Sequence, residues 1–277
     1  FSGVFFEPEL ACSGRAFAFV FRAFALGDTA LPARGMGEIP VQLAARLPPA
    51  SIRLGCRVER LEDRQVVLES GERLRARALA IATPGRETAR LLGRPDPRPV
   101  PLSHRGTTCL YFAADRAPVE GPYLVLNGEG RAASGQGPVN SLLCPSNLSD
   151  HYAPPGQALV TVNCHGSDYN PDALETAVRT QLAGWFGDQV NARRRLACSR
   201  LPEALPAQPP PVPFPGSVAQ RQADWLWVCG EYLNAPSIQW ALHSGRRAGA
   251  EIGRVLLGRV EEDNTGGLPL PGDRPPC

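Results

Sequence analysis

A short apolar run, Trp225-Leu226-Trp227-Val228-Cys229, stops at Gly230-Glu231, and a helical pattern begins at Pro236-Ser237-Ile238. That order of strand, glycine, carboxylate and helix start has a definite chemistry. The first turn of a helix carries N–H groups without intrahelical acceptors and a partial positive charge, so it favours a carbonyl oxygen or an anion. Gly230 lets a ligand approach the backbone closely. Glu231, at the carboxyl end of a strand, can accept hydrogen bonds from sugar-like hydroxyls. Open α/β sheets hold their ligands at such strand ends. The plain alternative is a strand–loop–helix with a surface glutamate.

Other reactive groups are sparse. All 29 basic residues are arginine, so no lysine can form a Schiff base, serve as the cation of a phosphate loop or act as a general base. His104, His151, His165 and His243 are isolated from one another in sequence, and no catalytic residue is assigned. The eight cysteines are spread along the chain without a Cys-x-x-Cys pair, so no metal site is expected. Cys109, Cys164 and Cys229 lie in apolar strand-like runs, where a thiol behaves as a small buried hydrophobe. A reduced intracellular compartment, cytoplasm or plastid, is the expected setting. A net charge of +2 gives no electrostatic case for nucleic acid, and no apolar stretch is long enough to span a bilayer.

The elements that must position the Gly-Glu turn follow from periodicity. Residues 15–26 space Phe17, Phe21 and Phe24 as a helix, and an extended loop, Leu31 to Gly37, precedes a second helix over 39–47. From residue 51 the period becomes two. Strands are expected at 52–54, 57–61 and 65–69, with a turn at Ser70-Gly71 and a longer strand over 74–82 that Thr83-Pro84-Gly85 stops. A short helix covers 86–92. Strands are expected at 107–113, 122–127, 139–144, 158–164 and 194–198. Pro171 to Phe186 reads as a helix with Gly187 beyond its end. Pro202 to Pro215 is so proline-rich that a stiff connector is expected rather than a strand. The last helix runs from Pro236 to about Leu257, with Ile238, Ala241, Leu242, Gly245, Ala248, Ile252, Val255 and Leu256 on one stripe. The fold class is therefore α/β, mixed with α+β character.

Four stretches give the chain a likeness. They are FSGVFFEPEL with FRAFALGDTALPARGMGEIPVQLAARL, then SIRLGCRVERLE with its hairpin and LRARALAIATP, then LPEALPAQPP, and finally WVCGEYLNAPSIQWALHSGRRAG. Together they span residues 1 to about 250. The chain resembles the C-terminal part of the superfamily of flavin-containing amine oxidases, protoporphyrinogen oxidases and phytoene desaturases. The likeness looks closest to plant, algal and cyanobacterial desaturase-like oxidoreductases.

What the resemblance implies is a site for FAD. Val58 matches the residue whose main chain holds the adenine. Gly230 and Glu231 match the motif that meets pyrophosphate and ribitol, and Ser237 and Ile238 match the turn whose N–H faces the flavin pyrimidine carbonyl. Ala241 and Ser244 match the helix under the ring, and Thr83-Pro84 matches a strand end near the adenosine half. The implied architecture is a partial, Rossmann-like FAD/NAD(P)-binding domain, residues 36–92 and 216–260. It is interleaved with a β-rich substrate domain, residues 1–35 and 93–215, and followed by a flexible tail, 261–277.

Two departures stand out. Trp240 occupies a position where the family has glycine. The Gly-x-Gly-x-x-Gly turn that opens the family's fold is absent from the sequence, so the N-terminal dinucleotide-binding unit is expected to be missing. The expected activity is FAD-dependent removal of hydride from a small molecule, with the aromatic helix favouring an apolar substrate. The alternative is a non-catalytic remnant or interaction module that no longer binds FAD.

Overall fold

In the computed structural model, residues 1–7, 9, 11–94, 103–128, 137–207, 209–210 and 220–258 are described. The tail expected over 261–277 lies outside them. The described elements are α1 (Ser2–Phe5), α2 (Gly14–Leu26), α3 (Glu38–Ala44), β1 (Val58–Glu62), β2 (Gln65–Leu68), β3 (Arg73–Arg75), β4 (Leu79–Ile81), α4 (Gly85–Leu91), β5 (His104–Ala114), β6 (Leu124–Leu126), β7 (Val139–Leu143), β8 (Ala158–His165), α5 (Pro171–Phe186), β9 (Arg194–Pro206), β10 (Arg221–Ala223), β11 (Leu226–Val228) and α6 (Ile238–Leu257). The fold is mixed α/β.

Three sheets organise these elements. β1, β2 and β3 form an antiparallel meander, with Gly71 taking the positive φ (+86°) that its turn requires. The second sheet has the order β10-β11-β4. Here β11 runs parallel to β4, with Leu226 opposite Leu79, Trp227 opposite Ala80 and Val228 opposite Ile81. Both strands are wholly apolar; β11 is buried throughout, as a strand covered on two faces requires, whereas Ala80 of β4 is exposed. Because they are parallel, the turn at Thr83-Pro84 and the turn at Gly230-Glu231 leave the sheet at the same end. Ile81, Leu226, Val228, Tyr232 and Leu233 form the core beneath them, with Leu61 of β1 packed against it.

The third sheet is antiparallel throughout, in the order β6-β7-β8-β5-β9. One face packs on α5. Leu110, Phe112, Val160 and Val162 meet Leu174, Val178 and Leu182 of that helix. Each of these side chains contributes about 1.5–3 kcal/mol when fully buried. α5 has the boundaries that its caps dictate. The Asn170 side chain accepts from the Asp172 and Ala173 N–H groups, Pro171 opens the first turn, and Gly187 ends it at φ +76°.

Four expectations are corrected. Residues 52–54 are not a strand; Arg53 is instead paired side-on with Glu72 at 2.9 and 2.7 Å, and Gly55 turns the chain at φ +70°. The strand expected over 74–82 is two strands in different sheets, separated by a bend at Arg77-Ala78. Strand β9 continues through Pro202 to Pro206 where a connector was expected. It tolerates proline because it is an edge strand paired only with β5, and because a register shift lies between Arg105 and Thr107 of its partner. The buried line of α6 is Ser244 and Ala248, whereas Ile238, Leu242 and Val255 of the expected stripe are exposed. Small residues let this helix lie close to the sheet, and the larger apolar groups are left on its open side.

Candidate functional site

β11 ends in a turn with little freedom. A Cβ on residue 230 would stand 2.3 Å from Cε1 of Tyr232, so only glycine fits above that ring. Tyr232 is buried, and its hydroxyl donates to Thr88 Oγ1 at 3.3 Å. Thr88 in turn lies 2.9 Å from the Thr83 hydroxyl and donates to the Thr83 carbonyl at 3.1 Å. Tyr232 thereby ties the end of β11 to the end of β4.

Glu231 begins a short 3-10 turn and is half-buried. Its carboxyl has no hydrogen-bond or ion-pair partner among the described residues, and burial raises its pKa above the ordinary carboxylate value. A half-desolvated acceptor of this kind is stabilised by any hydroxyl or N–H that a ligand brings.

Helix α6 starts close by. Ser237 is extended (φ −168°, ψ 157°), and its hydroxyl accepts from the Trp240 N–H at 3.2 Å. The Ala241 N–H returns to the Ser237 carbonyl at 3.0 Å. This leaves the Ile238 and Gln239 N–H groups without acceptors among the described residues. Both residues line a cavity of about 510 Å³, whose other walls are Ala30, Leu31, Pro32, Met36 and Ile39. The opposing loop is held in place by the Tyr152 hydroxyl on the Pro32 carbonyl (2.7 Å) and by Arg34 on Glu38 (2.8 Å). The first turn of a helix, positively polarised, thus contributes two residues to the wall of a mainly apolar cavity.

Gly230, Glu231, Ser237, Ile238, Ala241 and Ser244 all lie on this strand–turn–helix unit. Ile238 and Ala241 are exposed on the open side of α6. Ser244 is fully enclosed: it accepts from the Gly230 N–H at 3.0 Å and from Gln220 Nε2 at 2.8 Å, so it holds the turn from beneath. Trp240 is not among the cavity's lining residues. Its ring packs on Phe19 (6.0 Å between centroids) and edge-on against His243 (5.0 Å), linking α6 to α2.

Val58 stands apart, on the edge strand β1. The Glu69 N–H bonds the Arg57 carbonyl at 3.0 Å, which makes Val58 and Leu68 a non-hydrogen-bonded pair. The Val58 N–H and C=O therefore point away from β2. The carbonyl is already taken by Arg90 Nη2 at 2.9 Å, and Glu87 holds that guanidinium bidentately. His165, at the end of β8, is half-buried against Phe6, and burial lowers its pKa.

Sequence reasoning missed Gln220, Thr88, Arg90 and the role of Tyr232. Only Tyr232, adjoining the Gly-Glu pair, and Arg90, three residues after Glu87, carried a local signal.

A family model described as flavin containing amine oxidoreductase matches residues 1–253. No curated protein matches. Among solved structures, reduced UDP-galactopyranose mutase is similar at 14% identity and TM-score 0.56, over 83% of this chain and 54% of that one. Cyclohexylamine oxidase from Brevibacterium oxydans IH-35A aligns at 15% identity and TM-score 0.53, over 81% and 53%. A CLA-producing fatty acid isomerase from P. acnes aligns at 11% identity and TM-score 0.56, over 84% and 55%. The chain spans about half the length of these three proteins. At such identities the likeness shows the fold, which is that of the FAD-dependent oxidoreductases. With the family model covering nearly all of its described residues, the chain belongs to the flavin-containing amine oxidoreductase family.

Proposed function

We propose that the strand–turn–helix unit and the cavity at its end bind the flavin portion of FAD, and that the protein acts as a flavin-dependent oxidoreductase on a small molecule. The observation that carries this reading is that Ile238 and Gln239, whose N–H groups have no acceptor among the described residues, both line the 510 Å³ cavity. Their acceptor would be a ring carbonyl. The polarity of the neighbouring turn is complementary. The Gly230 N–H is already bonded within the chain, and the half-buried carboxyl of Glu231 brings acceptor oxygens to the turn. A ring bearing carbonyls joined to a chain bearing hydroxyls fits donors at the helix and an acceptor at the turn. Ala241, on the exposed side of α6, would lie under the ring, and the outward-facing Val58 N–H, whose own carbonyl Arg90 occupies, would serve the adenine. Ser244 contributes by holding Gly230.

Bound there, a flavin supplies the capacity to accept hydride from a substrate C–H. The chain's own residues orient the ring, stabilise negative charge on its carbonyl edge through the α6 dipole, and shield it with Leu31, Pro32, Met36 and Ile39. These walls are apolar and favour an apolar substrate. A second reading, a module that does not use FAD, draws on the absence of a Gly-x-Gly-x-x-Gly turn for the pyrophosphate. Titration with FAD separates the two. Saturable one-to-one binding supports the first, and its absence supports the second.

A further inference from the structure

The Gly-Glu turn, α6 and strand β10 are joined by one buried side chain that none of the site motifs includes. Gln220 is 4% exposed and immediately precedes β10. Its Nε2 donates to both the carbonyl (2.9 Å) and the hydroxyl (2.8 Å) of Ser244 on α6. Its backbone carbonyl accepts from the Val228 N–H at 2.8 Å, the last residue of β11. The Ser244 hydroxyl, fully buried, accepts the Gly230 N–H at 3.0 Å. The amide of Gln220 is thus one bond from α6, and two from the Gly230 N–H, one residue before Glu231.

We infer that Gln220 is a positioning residue for ligand binding. Through Ser244 it fixes the orientation of the half-buried Glu231 carboxyl relative to the free N–H groups of Ile238 and Gln239. This rests on the flavin reading above and deepens it. The donor end and the acceptor end of the site lie on different elements, and a ligand that spans both needs their separation held constant. Gln220 and Ser244 tie the turn to α6, whereas the Tyr232 hydroxyl on Thr88 and the Asn234 N–H on the Glu231 carbonyl tie it to β4 and to itself. The Glu231 side chain has no partner among the described residues, and Ser237 caps only its own helix. Buried polar networks of this kind hold one arrangement because each broken bond leaves an unpaired group in a dry site. Without the amide, the Ser244 hydroxyl loses a donor, and its hold on the Gly230 N–H, one residue before Glu231, loosens. The helix end, capped by Ser237, stays as it is.

The test uses two probes, riboflavin and lumiflavin. They share the ring, and only riboflavin carries the hydroxylated chain. Affinity for each is measured by flavin fluorescence on the wild-type chain and on Gln220→Met, which keeps the length and removes the amide. Thermal unfolding of each protein is followed alongside. Wild type should bind riboflavin about tenfold more tightly than lumiflavin, the worth of a hydrogen bond to a charged group. Gln220→Met should bring the ratio to within about twofold while leaving lumiflavin affinity unchanged, because the hydroxyl contact alone is lost. A role confined to fold stability would weaken both probes together, and that result overturns the inference, as does an unchanged ratio. Equal binding of both probes by wild type overturns it too, while leaving the flavin reading intact. No binding of lumiflavin by wild type defeats the flavin reading, and this inference with it. Gln220→Asn, which withdraws the amide by one methylene, gives the same readout if the methionine variant does not fold.

Discussion

Ala80 and Trp227 are register partners in a parallel pair of strands, although most of the chain lies between them. Trp227 is completely buried, with the Arg221 guanidinium 5.5 Å from its ring. The parallel register brings the turn after β4 and the turn after β11 to one end of the sheet, where Tyr232 and Thr88 join them. Trp227→Ala should therefore unsettle the site as well as the core. Its expected cost is about 3–5 kcal/mol, read as a lowered midpoint in urea unfolding with little change in slope.

Gly230→Ala should destabilise the fold by about 1–3 kcal/mol, because the new methyl meets the Tyr232 ring. Removing the ring in the same chain should relieve that clash. The double variant Gly230→Ala/Tyr232→Ala is then less destabilised than the sum of the single variants. Additive effects in a double-mutant cycle would place the strain elsewhere.

Proline is tolerated at the first position of a helix, where its missing N–H has no intrahelical partner to lose. Ile238→Pro should leave α6 intact by circular dichroism and remove one of the two N–H donors on the helix turn that lines the cavity. Flavin affinity should fall about two- to tenfold, the worth of one hydrogen bond. An unchanged affinity in a folded variant would show that this N–H does not face the ligand.

Burial raises the Glu231 pKa above its unfolded value, so the folded state holds this proton more tightly than the unfolded state does. Stability from this group is fully present below the unfolded pKa and is lost as pH rises through the folded value. Glu231→Gln removes the titration. The variant should be more stable than wild type at pH 7 and no more stable at pH 4, as measured by urea unfolding at both. An advantage that persists unchanged at pH 4 would contradict the desolvation account.

How much could be read from the residues depended on whether the signal was local. The α5 boundaries follow from Asn170, Pro171 and Gly187, each of which acts within one turn of its own position, and the structure reproduces them. The paired apolar strands ending in Thr83-Pro84 and Gly230-Glu231 were also visible as composition. Pro202 misled because the effect of proline in a strand depends on the partner, and edge status is a property of the whole sheet. The packed side of α6 misled for a related reason. Its buried line of Ser244 and Ala248 is set by close approach to Gln220 and Gly230, not by the most apolar stripe. In the site, the Gly-Glu turn and the helix start were legible because both stand in one short stretch. The cavity walls were not, because Leu31 and Met36 meet Ile238 only through the tertiary fold. Gln220 carried no local signal, since its amide meets Ser244, 24 residues away on α6, only through the tertiary fold.

The most direct measurement is the titration of this chain with FAD, followed by quenching of flavin fluorescence, with Ile238→Pro as the companion variant. The account predicts a saturable one-to-one complex, weaker in the variant. With no Gly-x-Gly-x-x-Gly turn in the sequence to hold the pyrophosphate, half-saturation should lie above the micromolar level. Quenching that fails to saturate, or that is the same in wild type and Ile238→Pro, would contradict the claim that the cavity at the start of α6 is a flavin site.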